Sequence, residues 1–489
     1  MATLIVLCAS AQSKQIVADS GFAGQALKNC KTDLRYLNQV IGWQVKWPRQ
    51  WQSIIAAGPE TLGEAITAWS QVPAALTLAM ETLRLGITSE ETAPRAVVIR
   101  VQQQVRDLLS DLTMVNSKYS FKNVENKNST QWNSLVRENI VPAVSTFERF
   151  LHNEYLPITS TAPGLHQLKG GRECFSDAVT WWTTLSPSLN EIEEIGKRFL
   201  QESRTQLLAT GNKSDTVESM LMDLRIKTEN NRTTAKELLT ISEIALARAH
   251  DKTLLSFSKR TKKEITVREM PKYLQASAPA GYYGRARGNT PARYIINPSR
   301  PNERRLMAEV IAFHEGVPGH HLWSAYPRKD PSTGYNSGIL EGWALYSEYL
   351  ADEMELSSST YDRQGMITKH LWAASRLIVE PGLHLRGWSR EDAIRFMMEN
   401  TVMSRTEVEI EVDRYIAMPG QSLSYILGAD LILSERERAR NIMGSLFDIS
   451  EFHDVILEPG VRALPQVRAD IRAWVQLASA GAEKIGHIK

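Results

Sequence analysis

Apolar positions recur at helical spacing through most of the chain, and this period predicts helices. The run TLGEAITAWSQVPAALTLAMETLRLGI leads to a turn at Thr88 and Ser89, and TAPRAVVIRVQQQVRDLLSDL continues the pattern to Leu112. These segments are expected to serve as packing scaffold. The polar stretch NVENKNSTQWN, residues 123 to 133, is expected to be an exposed loop, and Ser186 and Pro187 mark the start of a long amphipathic helix in SPSLNEIEEIGKRFLQE. Helical patterning then runs through His250. Near Lys262 the texture changes. EITVREMP and ARYIINP are short, β-branched and aromatic, and end in proline, as two strands of a small sheet would; APAGYYGRARGNTP between them reads as a Gly- and Arg-rich loop. After Pro301 the helical pattern returns, interrupted at PRKDPSTGYNSG and MPGQS. The expected fold class is mainly α with a small β-sheet. Residues 1–165 form an N-terminal helical scaffold and 166–489 the region carrying chemistry, interlocked as one unit. Trp43, Trp47 and Trp51 stand at helical spacing, and such a row packs into a core more readily than it forms a sugar platform.

Charge excludes some partners. Against 57 Lys and Arg stand 55 Asp and Glu, a net +2, so neither a nucleic-acid footprint nor a polybasic membrane surface is expected. No run of about 18 apolar residues suggests a membrane span. The short apolar run Leu4–Cys8 lacks a preceding basic residue, so a cleaved signal peptide is not expected. Cys8, Cys30 and Cys174 are too few and scattered for a disulfide scaffold or a thiolate metal site. A cytoplasmic location is therefore expected over a secreted one, and any metal must use His and carboxylate ligands. Sequons beginning at Asn128, Asn212 and Asn231 matter only in a secreted chain.

The chemistry gathers in FHEGVPGHHLW, residues 313 to 323. A helical H-E-x-x-H motif places two imidazoles four residues apart with a glutamate beside them as base. Here the second histidine comes later. In an unbroken helix His320 would be turned roughly 240° from His314, and His321 would share its face about 10 Å further along, too far for one metal ion. Pro318 lacks the N–H that would bond the His314 carbonyl, and Gly319 frees the backbone, so Val317-Pro318-Gly319 is expected to bulge out and return a histidine over the first. The other reading is that Pro-Gly simply ends the helix. Glu341, in SGILEGWALYSEYLADE, favours a site, since a carboxylate from a second helix completes a two-histidine hydrolytic zinc set. Glu348 shares its face and could orient a ligand histidine.

HEGVPGHHL, EGWALYSE, RLIVEPGLHLRGWSREDAI and EVDRYIAMPGQSLSYILG, in this order, resemble the bacterial and fungal family catalogued as domain of unknown function 885, and weaker likeness extends the match over roughly residues 60 to 470. That family is grouped, by its H-E-x-x-P-G-H motif, with gluzincin-type zinc metallopeptidases. The resemblance implies a helical metallopeptidase-like fold with the sheet beside the zinc-binding helices. It implies His314, His320 and Glu341 as zinc ligands and Glu315 as general base. Geometry alone leaves His320 and His321 both open. Trp323, where Gln is expected, and Glu380-Pro381, where Asp-Thr is usual, depart from the family pattern near its motifs and bear on the substrate.

A zinc site of this kind also needs a donor for the tetrahedral intermediate. Tyr425, Tyr415 and His384 are candidates, Tyr415 also as a substrate-binding residue; the alternative for Tyr425 is packing on its helix, and for His384 a core or capping role. Gln421, four residues before Tyr425, would share its helical face. Arg414 could hold a substrate carboxylate or pair with Glu411. Tyr283, beside Tyr282, Arg285, Arg287 and Arg293, could line a cleft selecting acidic groups. The expected function is a zinc-dependent hydrolase acting on a peptide or small amide substrate. Alternatives are an amidohydrolase of a non-peptide C–N bond and a non-catalytic metal or peptide binder, for which the intact Glu315 has no use.

Overall fold

A computed structural model describes residues 30, 35 and 37–486, apart from short stretches at 58–61, 115–118, 122–125, 254–255, 260–263, 271–274, 276–278, 287–290 and 329–333. The run Leu4–Cys8 and Arg287 lie outside the described residues. The fold is mainly α-helical with one three-stranded sheet, and the chain divides into two units. The first runs to Ala178 rather than 165 and also takes residues 383–390 and 412–419.

The first unit is built on aromatic packing. Helices Trp43–Ala57, Leu62–Trp69, Val72–Thr88, Arg95–Thr113 and Val141–Phe150 follow the apolar periodicity. Trp47 and Trp51 are buried and meet Trp69 at ring distances of 5.4 and 4.9 Å, while Trp43 packs on Trp47 and Phe147. The tryptophan row is therefore core. The expected loop at 123–133 becomes helix from Lys127 to Leu135. Two residues explain the correction: the Asn126 side chain caps the helix by accepting from Asn128 N, and Trp132 is wholly buried with its indole N–H donating to the Tyr119 carbonyl at 2.9 Å. One cap and one large anchor outweigh the polar residues around them. Cys30 and Cys174 form a disulfide, which three scattered cysteines did not suggest.

In the second unit, Ser188 and Glu191 form a reciprocal capping box at the head of the helix Leu189–Leu208. The sheet has the order β1-β3-β2, with β1 (Ile265–Glu269) parallel and β2 (Gly281–Gly284) antiparallel to β3 (Ala292–Ile296). The two expected strands are present. The third falls within the expected Gly-Arg loop, where Tyr282 and Tyr283 supply the β-forming residues and pair with Ile295 and Tyr294.

Five helices carry the candidate site: α1 (Ala308–Glu315), α2 (His320–Ala325), α3 (Ser337–Glu353), α4 (Thr360–Leu385, within this unit as far as Gly382) and α5 (Ser424–Met443). α3 and α5 cross at Gly342 and Gly428, where a Cβ on Gly342 would lie 2.5 Å from the Gly428 Cα. Only glycine allows this approach. Every residue of α1 is buried, which explains why its sequence shows no polar face.

Candidate metal centre

Between the two histidine helices the chain does not bulge; it is cut. α1 ends at Glu315, the Val317–Pro318 peptide is cis, and α2 begins at His320. The Gly319 N–H donates to the Phe313 carbonyl at 3.0 Å, and a Cβ on Gly319 would sit 1.9 Å from the His314 carbonyl oxygen. A side chain at 319 is thus excluded by the very carbonyl that Pro318 leaves without a helical donor. The Gly316 carbonyl accepts from His321 and Leu322 N–H groups, and the Trp343 indole of α3 donates to the Pro318 carbonyl at 3.1 Å. The restart brings the His314 and His320 rings to 4.9 Å, nearly perpendicular.

Glu341 of α3 meets both. Its Oε2 lies 3.5 Å from His314 Nε2 and 3.4 Å from His320 Nε2, and donor atoms of the three residues all lie within 4.8 Å of one another. Bonds of about 2.1 Å at tetrahedral angles separate zinc donors by about 3.4 Å. The donor set and its spacing fit one divalent ion of that preference. His314 is buried, whereas His320 and Glu341 are partly accessible, so the cluster has an open side. Burial alone would raise the Glu341 pKa, but the charge of His320 and hydrogen bonds from both histidines hold it well below the usual carboxylate range. His321 points elsewhere: its Nδ1 is 3.2 Å from the Tyr283 hydroxyl of β2.

Behind His314 lies a buried polar network. Glu348 Oε1 is 2.6 Å from His314 Nδ1 and 2.5 Å from Lys369 Nζ, and Glu348 Oε2 is 3.2 Å from His370 Nε2. With Nδ1 donating to the carboxylate, Nε2 is the nitrogen that faces the cluster and, once deprotonated, would offer its lone pair to a metal. Burial opposes ionisation of Glu348, yet Lys369, His314 and His370 together depress its pKa strongly. His314 is raised: burial and Lys369 push it down, and hydrogen bonds to Glu341 and Glu348 outweigh them. Glu315, the last residue of α1, is buried directly beside His314 in sequence.

The remaining expected residues separate into two groups. Tyr425 stacks on the His314 ring at 6.1 Å, with the Arg376 guanidinium 4.7 Å from its own ring centre. Tyr283 faces His320 and His321, at ring distances of 6.5 and 5.7 Å, and burial raises its hydroxyl pKa. Gln421 is buried, with its amide 3.4 Å from the Ser337 hydroxyl. His384, Tyr415 and Arg414 belong to the first unit. His384 is wholly buried, stacked on Phe175 with Nε2 3.1 Å from the Tyr415 carbonyl, and burial lowers its pKa to about 4. These are the contacts of a neutral core histidine, so the catalytic role expected for His384 gives way to packing. Tyr415 is likewise wholly buried, and Arg414 lies over its ring at 5.3 Å. Lys369, His370 and Arg376 escaped notice in the sequence, although a Lys-His pair inside the apolar run MITKHLWAA was a readable signal.

A helical fold with a small sheet and a two-histidine, one-carboxylate pocket is the class these observations define. The chain belongs to the family of bacterial proteins of unknown function numbered 885, which it matches over residues 13–471. No curated protein matches the sequence. A crystal structure from Colwellia psychrerythraea, described as a candidate lipoprotein, is similar in fold, with a TM-score of 0.78 at 23% identity over 90% of this chain and 81% of that one. A second, a candidate lipoprotein of unknown function from Shewanella oneidensis, has a TM-score of 0.63 at 16% identity over 83% of this chain and 77% of that one. These descriptions overturn the expected cytoplasmic location, and the Cys30–Cys174 disulfide agrees, since such bonds persist mainly in oxidising compartments. Among the described residues no single helix is long and apolar enough to cross a membrane.

Proposed function

We propose that this protein is a zinc-dependent hydrolase of amide bonds in peptides or small amide substrates, working outside the cytoplasm. The observation that carries the reading is the convergence of His314, His320 and Glu341, with one Glu341 oxygen 3.5 and 3.4 Å from the two histidine nitrogens and Glu315 next to the first histidine in sequence. The three residues would hold zinc, which when bound lowers the pKa of a water and polarises a substrate carbonyl. Glu315 takes the proton of the attacking water and delivers it to the leaving amine. Tyr425, stacked on His314, and Tyr283, beside His320, flank the cluster and can donate hydroxyl hydrogen bonds to a developing oxyanion. Glu348 keeps the His314 ring oriented.

The test is metal analysis followed by turnover on a library of peptides and simple amides. About one zinc per chain is expected from the one three-residue cluster among the described residues, and Glu315→Gln keeps that zinc while hydrolysis falls on the order of 10²–10⁴-fold. A metal-free preparation that retains full activity sinks the mechanism. Cleavage confined to non-peptide amides would move the assignment to the alternative hydrolase reading.

A further inference from the structure

Resting on the zinc reading above, we propose that Lys369 is a positioning residue that sets the affinity of the site for its metal by locking Glu348 onto His314. Glu348 has no solvent exposure at all, and a carboxylate in such a place is tolerated only when its charge is paired and its lone pairs are used. The pairing is unequal between its oxygens. Oε1 takes both His314 Nδ1–H and the Lys369 ammonium, at 2.6 and 2.5 Å; Oε2 has only His370 Nε2, at 3.2 Å and without hydrogen-bond alignment. His370 is held in turn by Tyr349, whose ring stacks on it at 4.2 Å.

Lys369 also approaches His314 Nδ1 to 3.5 Å. An ammonium has no lone pair, so it cannot accept from that nitrogen, and the Nδ1 proton has one place to go, Glu348 Oε1. The carboxylate therefore fixes the ring tautomer, and Lys369 acts on it only by holding Glu348 Oε1 in place.

Zinc affinity measured by chelator competition tests the proposal. Lys369→Met is expected to weaken zinc binding about 10–100-fold, as loss of a partner behind a ligand does, while Lys369→Arg stays nearer the parent. Should Lys369→Met fold poorly, the double variant Glu348→Gln with Lys369→Met removes both charges together and avoids an unpaired ion. Its zinc affinity should match Glu348→Gln alone, because the lysine acts only through that carboxylate. Parent-like affinity in Lys369→Met, or losses that simply add in the double variant, would overturn this inference and leave the hydrolase reading standing. A parent chain that binds no zinc removes both.

Discussion

Two buried histidines of the same unit, His314 and His453, have opposite surroundings. His453 has no exposure; its Nδ1 meets the Ser256 carbonyl at 2.8 Å, its Nε2 the Tyr346 hydroxyl at 2.8 Å, and its ring stacks on Phe257 at 4.6 Å. Each of these three contacts is with a neutral group, the charged Arg436 lying one step further out on the Tyr346 hydroxyl, and burial lowers the His453 pKa to about 3. His314 has carboxylates at both nitrogens and a raised pKa. Burial is common to the two rings. What differs is whether ionised groups touch the ring itself, and a fold keeps buried charges in contact where something other than stability is served. His453 is a structural histidine by this criterion, and His314 is not.

The comparison breaks most visibly under alanine. His314→Ala is expected to lose zinc and reduce turnover to background, whereas His453→Gln keeps the parent zinc content in metal analysis. His320→Ala should behave like His314→Ala and His321→Ala should retain zinc, which separates the adjacent histidines by function as their contacts do. Next in size, Glu348→Gln is expected to weaken zinc about 10–100-fold in chelator competition, while Tyr346→Phe, its counterpart at His453, leaves zinc affinity alone and costs about 1 kcal/mol of stability in urea unfolding. The last effect is in pH. A neutral His453 in the fold binds no proton until about pH 3, but in the unfolded chain it protonates below about 6.5. Its stabilisation is therefore present above the unfolded value and is lost as pH falls through that window, by about 1.4 kcal/mol per pH unit. His453→Gln should flatten that limb of the stability profile; an unchanged slope would mean the ring titrates normally.

Periodicity made the fold class legible, because amphipathic helices and short β-branched runs carry their burial in their spacing. It failed where one residue did the deciding, as Asn126 and Trp132 did for an apparently polar loop, and Tyr282 and Tyr283 did for β2. In the site, His314, His320 and Glu341 could be read because each lies inside a recognisable motif, and Glu348 because it sits at helical spacing from Glu341. Lys369 and His370 showed only as a Lys-His pair in an apolar run, and what they do depends on α4 facing α3, a tertiary fact with no local sign. His384 illustrates the reverse: a histidine near a motif turned out to have its nearest partners in an aromatic core.

The four residues from Gly316 to Gly319 are therefore a spacer of fixed length. Surface loops accept insertions at little cost, but this segment is gripped at both ends, by the Gly316 carbonyl under α2 and by the Trp343 indole on Pro318. If the gripped segment keeps its length, one inserted residue shifts the sequence one position along α2, which moves each side chain roughly 100° around the helix and carries His320 away from Glu341, so the tolerance of this chain to insertion should fall to nothing across those four positions.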